Sequence, residues 1–447
     1  MTERDVFESR LRAALLRHVA EGPTDFDALG FARTVAAKEP RRHGFAAALA
    51  WRGLAVPGVA WTLLLLAGLL AAMVGGTLLV GSQLQRRLPA LVPPVAPVAT
   101  CPPGSNPDKP GPVGQAAPLG YLKMAFDRDS ARVVAFVGRF DGGSGSSETW
   151  TFDVCTNRWA RARPDREPAV VASRELQLVH DGDSDVTIAI GSDGHPWVYD
   201  LEANIWTAKR DWVSRGDYPA TASFRLAYDP VSGLVFAQVI SAGDSPAPPQ
   251  DLWTYDVETD TWDLVRQAGD VPPGTSGDHL LLAYDASVDR IVAVGAGMHR
   301  FTRLLDPRTG VWTTGLGGPA VNTGYWASGG EIAYDEARLR TVVFSDGLVG
   351  AYDATADRWE TLYGSSTLPE TGPQNRLLPE MVHDPVNERL VVAGGEYRTA
   401  EGWVRADDVW AFDPATRAWT QLVAPSRIER YDAATERWIE LPVPSQP

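Results

Sequence analysis

Five histidines lie beyond residue 100: His180, His195, His279, His299 and His383. No two of them fall at the short spacing that metal-binding pairs use. Only two Cys occur, too few for a four-thiolate zinc site or a framework of several disulfides. No G-x-S-x-G elbow and no H-E-x-x-H is present. The expectation is therefore no catalytic residue, no metal and no cofactor. Acids are plentiful, with 56 Asp+Glu against 41 Lys+Arg, so two carboxylates brought together by the fold stay open as a hydrolytic pair. The net charge of −15 argues against a nucleic-acid partner. Recognition chemistry is best represented by Arg139, Tyr397, Arg398, Trp403 and Arg405. Arginine and aromatic side chains on loops are the usual anchors of a binding surface.

The elements that position these residues begin with an anchor. Gly53 to Gln85 holds no charged residue. Its densest stretch, VAWTLLLLAGLLAAMVGGTLLV from Val59 to Val80, meets the ~20 apolar residues that a membrane-spanning helix needs. About fifty residues precede it, too many for a signal peptide of ~15–30. Arg33, Lys38, Arg41, Arg42 and Arg52 flank it on one side and Arg86 and Arg87 on the other, which predicts a cytoplasmic N-terminus. Residues 1–52 read as a helical arm, 53–82 as a transmembrane helix and 83–121 as a Pro-rich linker. Residues 122–447 then form an extracytoplasmic domain. In the arm, Phe7, Leu11, Leu15 and Val19 make one apolar stripe, and Thr24-Asp25-Phe26-Asp27 opens a second helix. The linker is expected to act as a semi-rigid stalk. Cys101 and Cys155 both fall on the outer side, where a disulfide between them is expected in preference to two free thiols.

The outer domain repeats. Asp, five residues and Trp recur as Asp153/Trp159, Asp200/Trp206, Asp256/Trp262, Asp306/Trp312, Asp353/Trp359, Asp413/Trp419 and Asp432/Trp438. An aromatic residue or Leu precedes every Asp. Upstream of most units lies a strand ending in Asp, a polar turn and a β-branched run, as in Ala283-Tyr284-Asp285 before Arg290-Ile291-Val292. Each unit therefore predicts four strands, at a period of about 50 residues. The carboxylate of each Asp is expected to accept backbone N–H groups of its turn, and each Trp to fill the gap between neighbouring units. These residues read as architecture.

This pattern resembles the kelch-repeat family of β-propellers over roughly residues 123–422. The double glycine of that family survives cleanly only at Gly394-Gly395. The resemblance implies an all-β propeller. Six blades are expected, with Arg427–Leu441 as an extra hairpin or an incomplete seventh. Some proteins of similar fold are galactose oxidases, but neither Cys101 nor Cys155 is placed for their cysteine–tyrosine crosslink. Ser192-Asp193-Gly194 before Trp197 is a single degenerate match to a sialidase Asp-box.

Turns within the first and third hairpins are short and share one face. Long segments, including Gly138–Glu148 and Gly395–Asp408, share the other and hold the five candidate binding residues. The leading expectation is a membrane-anchored scaffold at the cell envelope that binds a protein or glycan. Two alternatives are a transmembrane regulator, whose arm holds a cytoplasmic partner in the manner of an anti-sigma factor, and a cell-surface carbohydrate-active enzyme.

Overall fold

A computed structural model describes residues 98–443, apart from 142–143, 169–175, 192–194, 211–221, 242–250, 273–278, 297–300, 318–329, 346, 365–371, 374–375 and 436. The expected helical arm and membrane helix lie outside the described residues. Among the described residues no helix is long and apolar enough to cross a membrane.

The described chain is all-β, built from small antiparallel sheets. Six of them follow one another as up-and-down meanders over 121–161, 177–208, 222–264, 279–315, 331–363 and 380–423. The inner, first strands are Tyr121–Asp127, Gln177–Asp181, Ala222–Asp229, His279–Asp285, Glu331–Asp335 and Glu380–Asp384. Each touches the next in order, and the sixth touches the first. The apolar residues divide accordingly. Six buried clusters each join two consecutive sheets, the cluster of Met124, Val133, Val382 and Val391 joining the first to the sixth. The arrangement is propeller-like. A strand set buried on both faces must be apolar on both, which is why the inner and second strands read as nearly continuous Ala, Val, Leu and Phe.

The repeat residues behave as the turn chemistry requires. In all twelve first and third hairpins the opening Asp accepts a backbone N–H two or three residues on. Asp153 Oδ1, for example, accepts from the amides of Cys155 and Thr156 at 2.9 and 3.0 Å. The fourth residue after each Asp has positive φ, at Ala131, Asn157, Asp185, Asn204, Gly233, Asp260, Asp289, Gly310, Leu339, Asp357, Glu388 and Arg417. Tyr199, Tyr255 and Tyr352 donate their hydroxyls to the residue at that position, at 2.7, 3.0 and 2.6 Å. Their rings pack on Trp206, Trp262 and Trp359, with centroids 4.8, 4.8 and 5.2 Å apart.

The repeat tryptophans differ in what their indole N–H groups meet. The indole N–H groups of Trp206 and Trp359 donate to Thr149 Oγ1 and Thr302 Oγ1 of the preceding sheet, both at 2.9 Å. Trp159, Trp312 and Trp419 make no such bond. They are buried, at 8, 1 and 9% exposure, and offer no surface to a ligand. The reason lies four residues before each repeat Asp. That position is Thr149 and Thr302 in the first and fourth sheets, but Leu252, Val349 and Val409 in the third, fifth and sixth. Facing those apolar side chains, Trp312, Trp419 and Trp159 share a cluster with each in turn and meet no acceptor there. Trp312 Nε1 donates instead to Gln267 Oε1 at 2.8 Å, in the segment after the third sheet. The indole nitrogens of Trp159 and Trp419 have no partner among the described residues. Ring packing holds them, on Phe152 at 4.9 Å and on Phe412 at 5.0 Å, and Trp419 also meets Phe344 of the fifth sheet edge-on at 5.5 Å.

A seventh sheet lies apart from this sequence of meanders. Its strands are Arg376–Leu377, Glu396–Thr399, Gly402–Ala406, Ile428–Asp432 and Arg437–Leu441. The C-terminal hairpin therefore pairs with a hairpin inserted in the sixth meander. Its Asp432/Trp438 unit keeps the local turn, with the Ala434 amide and the Thr435 hydroxyl donating to Asp432 at 3.0 and 2.8 Å. It lacks the two inner strands of a complete unit.

The described part of the Pro-rich segment, residues 98–120, lies against the first and sixth sheets. Gly111 N–H donates to Leu422 O at 2.7 Å, and Asn157 Nδ2 to Pro107 O and Lys109 O at 2.6 and 2.9 Å. A Cβ on Gly111 would lie 2.1 Å from Asn157 O, so only glycine fits there. Arg389 of the sixth sheet donates to Asp384, Pro107 O, Val154 O and Asn157 Oδ1 between 2.9 and 3.1 Å. Cys101 and Cys155 form a disulfide, which fastens this segment to the first sheet. The stalk expected from composition is, over these residues, a strap across the seam.

Candidate functional site

Two places bring functional side chains together. The first is the space between the inner strands, where a cavity of about 360 Å³ is lined from all six. Its walls are Ala, Val, Leu, Ile and Met, with His180, His383 and three tyrosines towards the end where the inner strands reach their Asp residues. Arg128 and Glu336 meet there in a two-pronged ion pair at 2.9 and 3.2 Å.

Four residues before each Asp, the inner strands carry Lys123, Gln177, Arg225, Leu281, Glu331 and Glu380. This register concentrates charge where the strands are otherwise apolar. Lys123 Nζ is 2.5 Å from Glu380 Oε1, and both residues are buried. Glu331 lies beside Glu380 and feels Lys123 and Arg225. Arg225 donates to Phe224 O at 3.0 Å. Burial first, and the neighbouring Glu380 carboxylate second, push Glu331 up to about 8. Glu380 is raised as well by burial, against the pull of Lys123. Burial and mutual repulsion favour a proton on this pair, with Lys123 and Arg225 beside it.

The second place is the seventh sheet. Tyr397, Arg398, Trp403 and Arg405 all lie on its inserted hairpin. The Arg398 guanidinium stands 5.9 Å over the Trp403 ring, with Arg398 exposed and Trp403 half-buried. Tyr397 lies under Arg376, 5.8 Å from ring centroid to guanidinium carbon. Arg376 in turn grips Asp408 at 2.9 and 2.6 Å, and Trp410 Nε1 donates to the same carboxylate at 2.8 Å. Arg405, expected on the exposed face, is instead only 6% exposed. It bonds Glu429 at 2.8 and 2.5 Å and stacks 4.2 Å over Trp438. It clamps the C-terminal hairpin to the inserted one, because the terminal hairpin arrives from far along the chain. Arg139 lies elsewhere, in the strand Arg132–Asp141, paired with Ser146. Gly138–Glu148 is thus largely hairpin and not the irregular loop expected. The structure places four of the five candidates on one hairpin and Arg139 on a strand of the first sheet. The buried Trp159, Trp312 and Trp419 take part in neither place.

Among the described residues one His/Asp group has the spacing of a metal-ligand set: Asp127, His180 and Asp185. Its members come from the first and second sheets, so no local spacing in the sequence marks them. Burial lowers His180, offset in part by Asp127, Asp181 and Asp129.

No family model and no curated relative matches the chain. Its fold is similar to that of a structural genomics protein of unknown function from Bacteroides thetaiotaomicron. The two share 13% identity at a TM-score of 0.44, over 66% of this chain and 72% of that one. A likeness at that level carries no argument about function.

Proposed function

We propose that this chain is a single-pass, membrane-anchored binding module, with a six-bladed kelch-like propeller displayed outside the cytoplasm. The ligand is a protein or glycan of the cell envelope. The supporting observation is the inserted hairpin. Its Arg398–Trp403 pair is presented to solvent beside Tyr397, on a sheet held by the buried Arg376–Asp408 and Arg405–Glu429 pairs. A rigid aromatic and arginine edge is the kind of surface that binds without a large ordering cost. The Asp-to-Trp repeat and the contact of the sixth inner strand with the first support six blades. The apolar run at 53–82 supports the anchor, and the Cys101–Cys155 bond is in keeping with an oxidising compartment. The test compares the wild type with Arg398→Ala/Trp403→Ala in retention of solubilised envelope material. The double variant is expected to lose at least tenfold in retention while keeping its melting temperature. Equal retention would refute this surface as the binding site.

A further inference from the structure

We propose that Asp127, His180 and Asp185 bind a divalent first-row transition ion of the Zn²⁺ class, bridging the first and second sheets. One ligand atom from each residue lies within 4.8 Å of the others. Asp127 closes the inner strand of the first sheet, and its Oδ1 is fixed by the amides of Asp129 and Ser130, both at 3.0 Å. Oδ2 accepts no bond in that turn. The His180 side chain is 7% exposed, and its Nδ1 has no hydrogen-bond partner. Its Nε2 is 3.9 Å from Asp185 Oδ1, beyond hydrogen-bond reach. A tetrahedral ion with bonds of about 2.0–2.1 Å would hold the two atoms roughly 3.3 Å apart, so binding draws Asp185 inward by about half an ångström.

The repeat supplies internal controls. In the fourth sheet the same two positions are Tyr284 and Asp289, and the tyrosine hydroxyl reaches the carboxylate directly at 2.8 Å. Imidazole is shorter than phenol, so in the second sheet the pair is left open. In the sixth sheet the equivalent residue is His383, also beside carboxylates: its Nε2 is 3.5 Å from Asp335. There Arg338 and Arg340 already neutralise Asp335, at 3.3 and 3.5 Å. Around His180 the charges are Asp127, Asp129, Asp181 and Asp185, and the nearby Arg128 is drawn away to Glu336. A neutral imidazole with two carboxylates balances a divalent charge. The nitrogen donor favours Zn²⁺ over Ca²⁺ and Mg²⁺, which prefer oxygen alone. Asp185 is half exposed at the end of its turn, so its carboxylate can swing inward to complete a coordination sphere. Three protein ligands leave the remaining positions open to water.

The experiment titrates Zn²⁺ into full-length protein in detergent after chelator treatment, by calorimetry and by thermal shift. Wild type is expected to bind one ion per chain and to melt higher with Zn²⁺. Asp185→Asn should weaken binding at least tenfold while leaving the metal-free melting temperature unchanged, since Asn tolerates the positive φ there. His180→Gln should lose the Zn²⁺-induced shift, and His383→Gln should keep it. The absence of saturable Zn²⁺ binding to wild type would overturn the proposal. So would equal affinity in Asp185→Asn, or Ca²⁺ binding as tight as Zn²⁺.

Discussion

Replacing Glu331 by Gln tests the charge cluster between the inner strands. Burial and Glu380 raise this carboxyl from its ordinary 4.5 to about 8. Between those values the folded chain holds a proton that the unfolded chain has released, so stability falls as pH rises through the window. The full rise is equivalent to at most about 5 kcal/mol. Glu331 and Glu380 titrate as a pair, so that figure is an upper bound and belongs to the pair. Glutamine imitates the protonated form and never ionises. Glu331→Gln should therefore lie close to wild type near pH 5 and be more stable near pH 8, by less than about 5 kcal/mol. Urea unfolding followed by tryptophan fluorescence, from pH 5 to 8, measures the difference between the two curves. Parallel curves, or a variant that loses ground at pH 8, would refute the protonated cluster.

Two further predictions concern stability. Reduction, or Cys101→Ser with Cys155→Ser, opens a loop with a sequence separation of 54 residues, and should cost about 2–4 kcal/mol by chain entropy. Differential scanning calorimetry with and without reductant checks it, and an unchanged transition would count against the strap. Leu339 holds φ of 53° with its side chain exposed, where eleven other hairpins place residues of several types. Leu339→Asn should stabilise the fold by about 0.5–1 kcal/mol, read as a rise in the urea midpoint, because Asn tolerates that conformation better than Leu.

The architecture was legible because one local device recurs. Asp and Trp at fixed spacing report a turn and an inter-sheet plug, and both are set by neighbours in the chain. The Asp153, Asp256 and Asp413 turns and the packing of Trp206 follow from that reading. What each plug bonds to is set by the preceding unit. Thr149 gives Trp206 an acceptor, whereas Val409, Leu252 and Val349 give Trp159, Trp312 and Trp419 none. Sites assembled across sheets were less legible. Lys123, Arg225, Glu331 and Glu380 stand at one register of four inner strands. Aligning the strands on their closing Asp would have shown charges in an apolar row. The Asp127–His180–Asp185 group draws on two sheets, and His spacing along the chain carries no trace of it. Arg405 was misplaced for a related reason. Its partner Glu429 belongs to the C-terminal hairpin, and nothing near residue 405 announces that a strand will pair there.

The central claim is a binding module outside the cytoplasm that is anchored by residues 53–82. Its most direct test places a photo-crosslinking residue at the exposed position 401, in the turn of the inserted hairpin, in the full-length protein in native membranes, with a second probe within residues 1–52. Position 401 is expected to capture an envelope protein or glycan, Arg398→Ala to abolish the capture, and the probe within 1–52 to capture neither. Capture of a transcription regulator through residues 1–52, with nothing at position 401, would contradict it.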